Sequence, residues 1–308
     1  MKIGIIGVGA VGGYFGAKLA NAGVDVTFVG TSRTVQMVYH NGLYVKSFQG
    51  DIHIKEPKIY HAFEAIKDVD VVLFCVKSYL TEPLARSLAP RLNKDAIVVS
   101  MQNGIENEQI LADVFGADRV IGSVVFISSH LERPGYINHM GFGKVVFGEL
   151  NGEITQRVQD LKQLFLESEI PAEVTDDINK ELWKKLILNT AYNGYTCLVE
   201  GALKYFYDVP EAVEMFYKTL KEGQMLARLE GFDISDEEIS QIMLVTKSDG
   251  FLNFKTSTLQ DLEKGKPLEI DAIQGVMLKI AEKHNVDVPL NKFLYSMLQL
   301  KMLNRKFG

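Results

Sequence analysis

A parallel-sheet α/β domain followed by an all-helical domain is the architecture this sequence predicts, on three observations. The chain opens on an apolar run, Lys2-Ile3-Gly4-Ile5-Ile6, that passes directly into Gly7-Val8-Gly9-Ala10-Val11-Gly12-Gly13 and a helix-like segment. Further near-continuous apolar runs, such as Asp70-Val71-Val72-Leu73-Phe74-Cys75-Val76 and Ala96-Ile97-Val98-Val99-Ser100, then alternate with helical patterns. After Asp176-Asp177 the pattern changes to long helical periodicity through most of the remaining chain.

The opening motif is G-x-G-x-x-G in strand-turn-helix context, the setting in which it marks a dinucleotide site of Rossmann type. Gly7 permits the tight turn, Gly9 admits a pyrophosphate close to backbone, and Gly12 lets the helix pack tightly on the strand. Val8, Ala10 and Val11 complete the cofactor turn. The segment from Tyr14 to Ala22 reads as a helix ended by Gly23, and Val24 to Val29 as the second parallel strand.

At the end of that second strand an NAD site ordinarily carries Asp or Glu to bind the ribose hydroxyls. This chain has Gly30, then Thr31-Ser32-Arg33. Two hydroxyls and a guanidinium suit a 2′-phosphate, which a carboxylate would repel, so NADPH/NADP is the expected cofactor and Arg33 its phosphate partner.

The runs from Asp70, Ala96 and Arg119 to Val124 have the composition of central parallel strands covered on both faces. Ligands in such sheets lie beyond the carboxyl ends of the strands, where this chain places Lys77-Ser78 and Gln102-Asn103-Gly104. Shorter strand-like pieces at Gly141 to Gly148 and Ala172 to Thr175, with turn residues at Arg133-Pro134-Gly135, read as an antiparallel extension of the sheet. The expected domains are 1–176, binding NADP, and 177–308, helical and catalytic, with a ligand cleft between them.

Composition narrows the class. The 308 residues are 47% hydrophobic and 23% charged, ordinary for a two-domain globular enzyme. A formal net charge of -6 argues against a nucleic-acid binder. No apolar run reaches membrane-spanning length and Lys2 leads straight into a strand, so a cytoplasmic protein without membrane association is expected. Cys75 and Cys197 are too scattered for a disulfide framework, and the six histidines form no ligand pattern, so no metal is expected.

In the helical half, Lys185, Asn189 and Asn193 recur every four residues, placing an ammonium and two carboxamides on one helix face. Asn is a mediocre helix former, so two in register suggest use, although an exposed polar stripe gives the same pattern. If the dinucleotide delivers a hydride to a carbonyl carbon, negative charge develops on the oxygen, which a Lys ammonium can stabilise and protonate. Neutral carboxamides can hold carboxylate and hydroxyl groups of a ligand without adding charge. Downstream, Ser257 offers a hydroxyl and Glu269 a carboxylate; alone, they read equally as a turn or cap residue and a first-turn helix acid.

Together, Gly-Val-Gly-Ala-Val-Gly-Gly, Val76-Lys77-Ser78, Gln102-Asn103-Gly104, the Trp183 to Asn193 pattern, Ser257-x-Leu-Gln-Asp261 and Gly265-Lys-Pro-x-Glu269-Ile-Asp271 resemble the ketopantoate reductase (2-dehydropantoate 2-reductase) family over nearly the whole chain. The resemblance implies NADPH-dependent reduction of 2-dehydropantoate to (R)-pantoate, on the route to pantothenate and coenzyme A. It implies that Lys185 is the general acid and that Asn103, Asn189, Asn193 and Ser257 contact substrate with it. Glu269 would orient substrate or Lys185 beside the cofactor, which Lys77, Asn103 and the backbone near Ser128 would touch. The chain departs from the family pattern at Gly194-Tyr195-Thr196-Cys197 and at Leu268, both expected near the substrate.

A reductase of another branched 2-oxo acid, a β-hydroxyacid dehydrogenase and a catalytically silent nucleotide sensor are the alternatives. The apolar positions Leu294, Met297, Leu298 and Leu300 to Met302 suit either core closure or a dimer seam, and a homodimer is the leaning.

Overall fold

The computed structural model describes residues 1–247, 252, 253 and 255–307. The chain divides into two compact units, Met1–Asn179 and Lys180–Gly308.

In chain order the first unit comprises β1 (Lys2–Ile6), α1 (Ala10–Asn21), β2 (Asp25–Val29), α2 (Ser32–Asn41), β3 (Leu43–Ser47), β4 (Ile52–Ile54), β5 (Lys58–Tyr60) and β6 (Val71–Phe74). It continues through α3 (Thr81–Leu88), β7 (Ile97–Ser100), α4 (Asn107–Phe115), β8 (Val120–Arg133), β9 (Tyr136–Glu149), α5 (Gln156–Glu167) and β10 (Ala172–Val174). All the strands join one sheet, in which β5, β2, β1, β6, β7 and β8 lie side by side and parallel. The chain steps outward from β1 to β2 on one side and crosses to β6 on the other, so the order reverses at β1/β6. That reversal opens a crevice beyond the carboxyl ends of the two strands.

The central strands have no polar alternation because both faces are covered. Val71, Val72, Leu73 and Phe74 are all fully buried. Val71 and Leu73 join one hydrophobic core with Ile3 and Ile5, while Val72 and Phe74 join the opposite one with Ile6.

Helix α1 starts at Ala10 rather than Tyr14, so Gly12 and Gly13 belong to it. It is buried on nearly every side from Gly12 to Leu19. A Cβ on Gly13 would fall 2.7 Å from Ile137 of β9, and one on Gly16 2.3 Å from Phe28 of β2. The sheet therefore curls around α1, and these glycines are where it approaches the helix most closely.

The antiparallel extension is longer than its apolar pattern indicates. Strands β8 and β9 form a hairpin of 14 residues each, turning at Gly135 with φ +82°. The Ala172 piece corrects the expectation: β10 runs parallel to β9, because α5 carries the chain back along the sheet before it pairs. Strand β3 is also parallel to β9, so the two partners share one edge of β9, β3 at Tyr136 to His139 and β10 at Val145 to Phe147.

Helix α6 (Ile178–Val199) leads into the second unit, followed by α7 (Pro210–Leu229), α8 (Asp236–Thr246), α9 (Ser257–Glu263), α10 (Val276–Lys283) and α11 (Pro289–Phe307). Among the described residues this unit contains no strand. A core of Cys197, Leu259, Leu262, Leu268, Ile270 and Leu298 ties α6, α9 and α11 together. Helix α11 splits its apolar residues: Leu294 and Leu298 are fully buried, whereas Phe293, Leu300 and Leu303 are exposed. No described helix is long and apolar enough to cross a membrane.

Candidate active site

The glycine turn lies at the carboxyl end of β1. Gly7 has φ +96°, and its amide donates to the Val29 carbonyl at 3.0 Å. A Cβ there would sit 2.8 Å from the Cys75 carbonyl oxygen, so only glycine brings the turn this close to the end of β6. A Cβ on Gly12 would lie 2.1 Å from the Gly7 carbonyl oxygen, whereas one on Gly9 would meet nothing within 4 Å. Gly9 is also the N-cap of α1, without a side-chain cap and with no acidic residue in the first turn. The open space above Gly9 and the amides around Ala10, Val11 and Gly12 form an uncapped, positively polarised cradle that fits a pyrophosphate. Val8 is buried. Burial pushes the Cys75 thiol far up, so it stays neutral beside the turn.

Next to the cradle, β2 is followed by Gly30, whose amide donates to the Tyr60 carbonyl at 3.0 Å. Thr31 caps α2, its Oγ1 accepting the Thr34 amide at 3.3 Å. Ser32 and Arg33 are the first helical residues, both exposed, and the first turn of α2 has no acidic residue. This second helix start, carrying hydroxyls and a guanidinium, can hold a phosphate group.

Lys77 and Asn103 follow the carboxyl ends of β6 and β7, both half-buried. The Asn103 carbonyl accepts from Ser78 Oγ at 2.8 Å and Asn107 Nδ2 at 2.7 Å. Ser128 pairs with Gly141 between two slips in the β8–β9 register, and such bulges re-aim side chains next to sites. The first unit thus brings the glycine turn, Lys77 and Asn103 to the ends of three adjacent strands.

In the second unit, Lys185, Asn189 and Asn193 share one face of α6, at ideal angles of about 0°, 40° and 80°. Lys185 and Asn189 are half-buried, while Asn193 is buried at 3% exposure. Its Nδ2 has no hydrogen-bond partner among the described residues. Lys184 points elsewhere, ion-paired with Glu181 at 2.7 Å and Glu238 at 3.7 Å.

Two threonines of α6 anchor the downstream segments beside this face. Thr196 Oγ1 meets Thr256 Oγ1 at 2.8 Å, holding the start of α9, and Gln274 Nε2 donates to the Thr190 carbonyl at 3.1 Å. Thr256 is the N-cap of α9, which leaves Ser257 exposed as its first residue rather than as a cap. Glu269 is 8% exposed. It precedes a π-helical turn, Asp271–Gly275, rather than lying within a helix, and such turns recur at functional sites. Burial, with Tyr207 nearby, raises the Tyr192 phenol, which therefore stays neutral.

Of the departures from the family pattern on α6, only Thr196 falls on this face, at an ideal angle of about 20°. Gly194 packs on Leu294, where a Cβ would come within 3.0 Å. Tyr195 hydrogen-bonds Thr219 at 3.1 Å and packs on Phe206 and Phe216, and Cys197 and Leu268 sit in the helical core. Thr196 is fully buried and serves as the anchor to Thr256. The threonine anchors join residues distant in sequence and carry no local signal, whereas a Thr immediately before a helix, as at Thr31, is the signal of an N-cap.

The sequence profile described as "Ketopantoate reductase PanE/ApbA" matches residues 3–152, and "Ketopantoate reductase PanE/ApbA C terminal" matches residues 177–302. A 2-dehydropantoate 2-reductase of Nostoc sp. is 31% identical across 98% of this chain and 95% of its own length. The crystal structure of 2-dehydropantoate 2-reductase from Geobacter metallireducens superposes with a TM-score of 0.91 at 30% identity, covering 97% of this chain and 99% of that one. The ternary structure of D-mandelate dehydrogenase with NADH and anilino(oxo)acetate has a TM-score of 0.92 over 99% of this chain and 100% of its own, at 24% identity, a likeness of fold.

Proposed function

The chain belongs to the ketopantoate reductase family of oxidoreductases, and from that premise we propose that it reduces 2-dehydropantoate to pantoate with NADPH. The observation that carries the proposal is the α6 face, where Lys185 stands in register with Asn189 and with a buried Asn193 whose amide donor has no partner among the described residues. A buried donor left unpaired costs about 1–3 kcal/mol, and a substrate oxygen is the acceptor that would relieve it.

Bound in the first unit, the dihydronicotinamide supplies a hydride. Gly7 to Gly12 hold the pyrophosphate on the α1 amides, and Thr31, Ser32 and Arg33 hold the 2′-phosphate. The cradle above Gly9 and the absence of a carboxylate from Gly30 to Arg33 support that assignment. Lys77, Asn103 and Ser128 position the nicotinamide end.

Asn103, Asn189, Asn193 and Ser257 orient the carboxylate and hydroxyl groups of the 2-oxo acid as neutral partners. Lys185 Nζ donates to the carbonyl oxygen, stabilises the charge that develops there and transfers its proton. Solvent then reprotonates the amine, so one 2-oxo acid, one hydride from NADPH and one proton yield one 2-hydroxy acid and one NADP⁺. Glu269, a buried carboxylate, orients Lys185 or the substrate.

The test is steady-state oxidation of NADPH and of NADH across a panel of 2-oxo acids. The highest kcat/KM is expected for 2-dehydropantoate with NADPH. A better rate with another branched or aromatic 2-oxo acid moves the substrate assignment, and no turnover with any of them overturns the enzymatic reading.

A further inference from the structure

Beneath the Asn103 turn runs a buried chain of hydrogen bonds whose direction is fixed from one end to the other. Thr81, the first residue of α3, is fully buried; Gln102 and Asn107, the first residue of α4, are 4% and 2% exposed. Gln102 Nε2 donates to the Val76 carbonyl at 3.0 Å and to Thr81 Oγ1 at 2.7 Å. Thr81 Oγ1 donates to Asn107 Oδ1 at 2.7 Å. Asn107 Nδ2 in turn donates to the Asn103 carbonyl at 2.7 Å and to Ser78 Oγ at 3.3 Å, and Ser78 Oγ donates to the same carbonyl at 2.8 Å.

The polarity follows from the first acceptor. A backbone carbonyl only accepts, so Val76 requires the NH₂ end of Gln102 to face it. That NH₂ also occupies Thr81 Oγ1 as a donor, leaving the single hydroxyl proton of Thr81 for Asn107 Oδ1. With Oδ1 engaged, the Asn107 NH₂ has to point at Asn103. The Asn103 peptide, followed by Gly104 at φ +101°, is thereby held by two donors.

Stability does not account for this arrangement. Gln102 Oε1 is buried with no partner among the described residues, a penalty that an apolar filling of the same space would avoid.

We infer that Thr81 and Asn107 are positioning residues that aim Asn103 at the nicotinamide and the 2-oxo acid. The inference rests on the proposed function, in which Asn103 touches both. Thr81→Val keeps the shape but removes the relay, leaving the Asn107 amide without a fixed orientation. Asn107→Asp keeps the acceptor for Thr81 and turns an oxygen toward the Asn103 carbonyl.

The experiment compares Thr81→Val, Thr81→Ser, Asn107→Asp, the Thr81→Val/Asn107→Asp double variant and Asn103→Ala in the full-length protein. It reads kcat, both KM values, the primary isotope effect with NADPH deuterated at the transferred position, and Tm. Misplacement by about 1 Å can slow a reaction about 10²-fold, so Thr81→Val and Asn107→Asp should lower kcat by roughly 10- to 100-fold and raise the isotope effect. The NADPH KM should stay within roughly twofold. Thr81→Ser should restore wild-type kinetics, and the double variant should be no worse than the poorer single one, because both break one chain.

If Asn103→Ala is impaired while Thr81→Val and Asn107→Asp change only Tm, the positioning role is overturned and the functional reading stands. If Asn103→Ala itself turns over normally, the assignment of Asn103 fails and takes the inference with it. Should Asn107→Asp not fold, the Thr81→Val and Thr81→Ser pair decides alone.

Discussion

Two glycines three residues apart in the opening turn should respond to the same added methyl group in opposite ways. In Gly12→Ala the new Cβ would lie 2.1 Å from the Gly7 carbonyl oxygen and 2.8 Å from Cys75 Cβ. Relief requires helix and turn to separate by about 1 Å, and overpacking of this kind costs about 1–3 kcal/mol. At roughly 2–4 °C per kcal/mol, Tm should fall by roughly 2–12 °C. In Gly9→Ala the Cβ meets nothing within 4 Å, and φ −88° with ψ −158° is accessible to alanine. The structural loss is that of a poorer N-cap, about 0.5–1 kcal/mol, or a few degrees.

Binding separates the pair further, because in the proposed cofactor pose the pyrophosphate approaches the open volume at Gly9. Losing one charge-assisted hydrogen bond there removes about 1.5–3 kcal/mol, which raises the NADPH Kd by roughly 10- to 150-fold. Calorimetric titration with NADPH, together with melting curves recorded with and without it, measures both quantities. A Gly9→Ala protein that keeps its fold and binds NADPH as tightly as wild type would refute placement of the pyrophosphate on this turn.

Other outcomes follow from the same geometry. Lys185→Ala should lower kcat by roughly 10²- to 10⁴-fold, whereas Lys184→Ala, which removes only the ion pairs to Glu181 and Glu238, should retain most activity; equal effects would reject the assigned helix face. Asn193→Leu should leave the ligand-free protein as stable as wild type or more so, because an unpaired buried donor disappears, while kcat/KM falls about tenfold or more; a lower Tm with normal kinetics would make Asn193 structural. Arg33→Ala should raise the NADPH KM about tenfold and leave NADH use nearly unchanged, and a wild-type preference for NADH would contradict the 2′-phosphate assignment.

Periodicity made some parts of this chain legible and concealed others. The buried strands β1, β6 and β7 are legible because their apolar runs are short, rich in Val and Ile and bounded by turn residues, which favours strands covered on both faces over buried helix. The far half of β8 was hidden because Ile127-Ser128-Ser129-His130 is half-buried and mixed in polarity, which a one-dimensional pattern does not distinguish from a loop. Strand β10 was visible as a strand but not in its direction, which depends on the crossover that precedes it. In the site, the spacing of Lys185, Asn189 and Asn193 reports a shared helix face directly. Roles that depend on contacts distant in sequence, such as Thr196 with Thr256 or Thr81 with Asn107, leave no local trace.

Helix α1 also links cofactor binding to the stability of the fold. A 12-residue segment carrying Gly12, Gly13 and Gly16 has too little intrinsic helicity to persist alone. Its shape is borrowed from β2 on one side and β9 on the other, strands separated by most of the first unit. The amides proposed to meet a pyrophosphate therefore take their alignment from packing against both strands. A dinucleotide held there would bind the packed domain and not the unfolded chain, so its binding free energy would add to the stability of the fold and should appear as a higher Tm with rising cofactor concentration.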